Sequence, residues 1–101
     1  MSLPVVLGPR AQADLRDAFS WYEQQQAGLG RRCLADIGIT FRHIGLFPRG
    51  YQQVEGDVRA APTHRFPYRV YYRLLMNEVY VLGVLPDRTD PRHHQRRVAR
   101  D

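Results

Sequence analysis

Two apolar runs near the end of the chain, Arg69 to Leu75 and Val79 to Leu85, constrain the fold more than any other feature. Both carry apolar residues on both alternating faces, the pattern of strands buried in the middle of a sheet. Only Met76-Asn77-Glu78 separates them. The spacing therefore predicts an antiparallel hairpin. Upstream, Val58 to Ala61 is a weaker strand, limited by Pro62, and its expected place is towards an edge. Pro4 to Leu7 is a short apolar run that fits an edge strand.

Between these strands the period changes from two to nearly four. Gly8-Pro9 breaks the first strand and opens a helix, since proline is tolerated in a first turn. There Ala11, Leu15, Ala18, Phe19 and Tyr22 recur on one side, while Arg10, Gln12, Arg16 and Gln24 face away. Asp14 and Asp17 sit early, where the helix dipole favours acids. Gly28 and Gly30 mark a tight turn into a second amphipathic helix carrying Leu34, Ile37, Phe41 and Ile44, ended by Pro48 and Gly50. Gly38 and Gly45 weaken that helix by about 1 kcal/mol each relative to alanine unless close packing uses them. A short link makes two such helices antiparallel neighbours. The expected fold is α+β: an N-terminal strand, then an antiparallel helical hairpin on one face of a mainly antiparallel three- to four-stranded sheet. At 101 residues the expectation is one domain over 1–101, with a basic tail at about 87–101.

Charge narrows the range of partners. The formal charge is +5 with a sequence pI near 10.0, and every basic residue other than histidine is arginine. Arginine favours bidentate contacts to phosphates or carboxylates, although GC-rich codon usage also replaces lysine. A positive balance points to an acidic partner, either nucleic acid or an acidic protein segment. Cys33 stands alone, which excludes an internal disulfide or a cysteine metal cluster, and its helical position reads as core. His93-His94 lacks a carboxylate or cysteine at ligand spacing, so neither a metal nor a cofactor is expected. The start of the chain lacks the basic and apolar runs of a secretory signal, and nothing approaches a membrane span. These features predict a cytoplasmic protein.

Several motifs in order resemble the RelE/ParE superfamily, the toxins of bacterial type II toxin–antitoxin pairs. They are Ala11-x-x-Asp14-Leu15 with Trp21-Tyr22, a second helix ending at Pro48, Val58-Arg59, and Phe66-Pro67-Tyr68-Arg69-Val70-x-Tyr72. Many relatives close with His-x-Arg-Arg-Asp-Pro-x-x-Trp. Here Pro86 stands for the histidine, Arg88 is kept, Thr89 replaces the second arginine, Asp90-Pro91 are kept, and His94 replaces the tryptophan.

The resemblance implies one of two activities. RelE-like members are metal-independent endoribonucleases that cleave messenger RNA on the ribosome, where basic side chains neutralise the scissile phosphate. Their set of two lysines, two arginines and a tyrosine falls here on Ala61, Thr63, Arg69, Arg88 and His94, so only the arginines are kept. Arg59, His64 and Arg65 are the nearby substitutes; under this alternative Arg69, Arg88 and His94 would be catalytic. ParE-like members share the helical hairpin and the Phe-Pro-Tyr strand, lack the nuclease set, and inhibit DNA gyrase without being enzymes. That branch is the closer resemblance. It implies growth arrest, plasmid stabilisation and an oligomeric complex with a cognate antitoxin. Arg59, Arg65, Arg69 and Arg88 are then candidates for target or phosphate binding. Trp21 and Tyr22 are candidates for antitoxin binding, because Trp21 lies off the apolar stripe and reads as an exposed anchor, or else as packed under a loop or the C-terminus. Tyr68, Tyr71, Tyr72 and Tyr80 either stack on bases or fill a sheet face.

Overall fold

The computed structural model describes residues 1–87; Arg88 and His94 lie outside the described residues. Strand β1 (Val5–Leu7) leads into helices α1 (Pro9–Gln25) and α2 (Leu29–Leu46). Strands β2 (Gln53–Glu55), β3 (Val58–Pro62), β4 (Tyr68–Leu74) and β5 (Val79–Pro86) follow. They form a five-stranded sheet in the order β1-β5-β4-β3-β2, with β1 parallel to β5 and every other pairing antiparallel. The sheet thus has five strands where three or four are expected from sequence. The additional one is β2, whose three residues are all exposed and which pairs outside β3. Val58–Pro62 is therefore one strand in from the edge. β1 does lie at an edge.

The helical hairpin is held by its glycines and one acid. Gly28 adopts a φ of +89°, a left-handed conformation that a side chain would disfavour. A Cβ on Gly30 would lie 2.6 Å from the Phe19 carbonyl oxygen, so the two helices approach there at backbone distance. The Glu23 carboxylate accepts hydrogen bonds from Gly28 N at 2.9 Å and Gly30 N at 3.0 Å, satisfying N–H groups that the start of α2 leaves unpaired. Of Gly38 and Gly45 further along α2, Gly45 is used: a Cβ there would meet the Leu3 carbonyl oxygen at 2.9 Å. Gly38 faces open space.

Both helices cover one face of the sheet. Ala11 and Ala18 of α1 and Cys33, Ile37 and Ile44 of α2 are fully buried against Ala61, Val70, Tyr72, Val79, Val81 and Val84. Asp14 lies in the same stripe. It is buried, and its Oδ2 accepts a 2.9 Å hydrogen bond from Val84 N, so its role is to tie α1 to β5 and not to complement the helix dipole. The tie sits where Leu82 is inserted as a bulge, between the pairs Tyr72–Val81 and Tyr71–Gly83. No described element packs on the opposite face. There Arg69, Tyr71 and Arg73 of β4 project beside Pro62, Ala60 and Val58 of β3.

Candidate functional site

A polar stripe on α2 shapes the connection between β3 and β4. Asp36, Thr40 and His43 recur at helical spacing, and each grips this loop. Asp36 is 4% exposed, and one oxygen, Oδ2, accepts from both Arg65 N and Phe66 N at 2.9 Å. Thr40 Oγ1 donates to the Pro62 carbonyl at 3.3 Å. The His43 and His64 rings meet edge to face with centroids 5.8 Å apart. Thr63 closes the loop on itself: its hydroxyl donates to the Phe66 carbonyl and accepts from Tyr68 N. Below, Phe66 meets the Tyr22 ring edge-on at 4.8 Å.

This scaffold displays His64 and Arg65 in solvent, with Arg69 following on the open sheet face. Asp87 N donates to the Pro67 carbonyl at 2.8 Å, which brings the end of β5 to the same loop. Two of the four arginines singled out in sequence are displayed together, at one end of the sheet. The arrangement can neutralise and orient an anionic partner. Ala61 is fully buried and offers no proton to exchange, while the Thr63 hydroxyl is engaged within the loop.

Arg59 occupies a different place. It shares the helix-covered side with Tyr72, and its guanidinium donates to the Tyr51 carbonyl at 2.6 Å and the Arg49 carbonyl at 3.4 Å. It pins the segment between α2 and β2. The Tyr72 hydroxyl donates to the Pro48 carbonyl at 2.7 Å in the same region. Burial pushes this phenol up to about 12; the Arg59 charge pulls it down and Tyr51 pushes it up by lesser amounts.

Trp21 is half-buried. Tyr22 packs against the core, in edge contacts with Phe66 and Tyr68. Tyr68 and Tyr72 are buried under the helices, whereas Tyr71 and Tyr80 are half-buried. Sequence reasoning missed Asp36 and Arg73. Arg73 repeats the strand position of Arg69 two pleats on, which was a legible signal; it pairs with Asp57 at 3.0 Å on the surface. Among the described residues no group of three or more His, Cys, Asp or Glu is placed to hold a metal ion, and no helix is long and apolar enough to cross a membrane.

This fold, a helical hairpin on one face of a mostly antiparallel sheet with arginines displayed at one end, is that of a RelE/ParE-superfamily toxin. The chain belongs to the family described as ParE toxin of type II toxin–antitoxin system, parDE, whose model it matches over residues 5–91. It is accordingly the toxin component of such a pair, with an antitoxin as partner. A solved structure of the chromosomal ParDE toxin–antitoxin system from P. aeruginosa superimposes with a TM-score of 0.73 at 18% identity. That match covers 84% of this chain and 96% of the other, and at this identity it speaks for the fold. No curated protein matches the sequence.

Proposed function

We propose that this toxin arrests growth in the cytoplasm by inhibiting DNA gyrase, as a binding inhibitor and not as a nuclease. The observation that carries this reading is the state of the positions where a RelE-like nuclease keeps its lysines. Ala61 is sealed in the core, and Thr63 is committed to its own loop. In-line attack by a 2′-hydroxyl needs a group to accept its proton and another to protonate the leaving oxygen. Arg69 supplies charge alone, because a guanidinium stays protonated in proteins. Membership in the ParE toxin family supports the same target class.

The antitoxin would cover the half-buried Trp21 and the outer helix surface with a helix and lay an extended segment along the sheet, folding as it binds. Replacing Trp21 with Glu should weaken antitoxin binding by at least about tenfold; unchanged affinity removes Trp21 from that interface. The target assay is gyrase-mediated DNA cleavage with purified toxin. Accumulation of linear plasmid supports the reading, and undisturbed supercoiling refutes it. The ribonuclease alternative would draw on the exposed His64, which is in edge contact with His43 and precedes Arg65 in the loop. It predicts messenger RNA cleavage that Arg69→Ala abolishes.

A further inference from the structure

The sheet face away from the helices carries its own pattern. Arg69, Tyr71 and Arg73 alternate along β4 with the buried Tyr68, Val70 and Tyr72, so the first three share the open face and span about 14 Å. Arg73 stands opposite Tyr80 of β5, and Tyr80 stands opposite Val6 of β1. Small residues flank the Tyr71 ring, and one lies beside the Tyr80 hydroxyl. Tyr71 lies between Ala60 of β3 and Gly83 of β5. The Tyr80 ring reaches over β1 to Gly8, where a Cβ would come within 2.5 Å of its hydroxyl oxygen. Tyr71 therefore has no bulky register neighbour, whereas Tyr80 is flanked by Arg73 and Val6. Two guanidinium groups and two rings are thereby interleaved on one surface.

From this juxtaposition we infer that the open face binds single-stranded DNA, with Arg69 and Arg73 on phosphates and Tyr71 and Tyr80 stacked on bases. Base stacking on sheet-borne aromatics beside basic groups is a general route to sequence-tolerant single-strand binding. An extended acidic peptide draws on a strand edge and apolar side-chain pockets, whereas the middle of this face offers rings and cations. The inference rests on the gyrase reading in one respect, the choice of DNA as the strand. Asp57 is a built-in brake: its carboxylate occupies Arg73 at 3.0 Å, on a pair exposed enough to exchange.

The test is fluorescence anisotropy of the full chain with a labelled oligothymidylate of roughly 12 nucleotides, within the site sizes of single-strand binders. Circular dichroism of each variant confirms its fold. Arg69→Ala and Tyr71→Ala should each weaken binding about tenfold, and Tyr71→Phe should stay within about twofold. Arg69→Ala should also lower the salt dependence by about 0.7 in log–log slope, one phosphate contact. Asp57→Asn should tighten binding about two- to threefold by releasing Arg73. Arg31→Ala removes the same charge from an exposed position at the start of α2 and should leave binding within about twofold. No saturable binding by the unmodified chain, or equal losses in Arg31→Ala and Arg69→Ala, overturns the inference. So does a poly-glutamate peptide that binds in place of the oligonucleotide. A chain that binds DNA but leaves gyrase unaffected overturns the gyrase reading alone. A chain that poisons gyrase without binding the oligonucleotide overturns this inference alone.

Discussion

Asp36 holds the arginine-bearing loop in place, and its removal has a cost that follows from geometry. Its Oδ2 alone accepts from Arg65 N and Phe66 N, both at 2.9 Å. Hydrogen bonds to a charged group contribute about 1.5–3 kcal/mol each, and a buried N–H left without an acceptor costs about 1–3 kcal/mol. Arg65 is exposed, so water can reach its amide once the carboxylate is gone; Phe66 is half-buried and its amide is less well compensated. Asp36→Ala should therefore destabilise the fold by about 3 kcal/mol, a large part of the 5–15 kcal/mol that holds a domain together. Asp36→Asn is the sharper probe. Because both bonds converge on one oxygen, the asparagine carbonyl can take the same position and accept both. Only the charge assistance is lost, at about 1 kcal/mol. Urea unfolding, with the m-value unchanged, measures both. Amide exchange at Arg65 and Phe66 should quicken more in the alanine variant than in the asparagine variant. Equal costs for the two substitutions, or an alanine cost below about 1 kcal/mol, would refute the convergent-oxygen argument.

Gly38 and Gly45 of α2 should respond with opposite signs. Gly38→Ala, in open space, should stabilise by about 0.5–1 kcal/mol, and Gly45→Ala, forced against the Leu3 carbonyl, should destabilise by about 2 kcal/mol in thermal or urea unfolding. Glu23→Ala removes the acceptor for Gly28 N and Gly30 N and should cost about 1–2 kcal/mol, whereas loss of less than half of that would show the hairpin turn to be self-sufficient. For Tyr72 the folded phenol keeps its proton to about 12 while the unfolded chain releases it from about 10 upwards. The fold then binds more protons than the unfolded state in that window, so stability should be intact below pH 10 and fall by about 2 kcal/mol between pH 10 and 12. Tyr72→Phe should flatten this alkaline fall, while costing about 1 kcal/mol at neutral pH through the lost bond to Pro48.

Elements whose cause is local were legible in the sequence. Helix periodicity set out the stripes of α1 and α2 apart from Phe19, which is exposed, and Gly28 and Gly30 marked the turn because a left-handed residue and a close helix contact both call for glycine. The β4–β5 hairpin followed from its two apolar runs. Strand β2 was not legible: Gln53, Val54 and Glu55 bury nothing, and they pair only because β3 offers an edge. The buried acids misled for a related reason. Asp14 looked like an acid placed early in its helix for the dipole, yet its partner, Val84 N, lies 70 residues along the chain. Its position between Ala11 and Ala18 in an apolar stripe was the available signal. Arg59 and Arg69 look alike in sequence, and only strand register separates them, one on the helix-covered side and one on the open face. Trp21 is likewise half-buried through packing that its place on a helical wheel does not encode.

The most direct test of the central claim is controlled expression in bacteria, with plasmid DNA and cellular RNA taken from the same arrested culture. The account predicts double-strand DNA breaks and an SOS response while messenger RNA stays intact. Codon-phased messenger RNA cleavage with intact DNA would contradict it and make Arg69 part of a nuclease site.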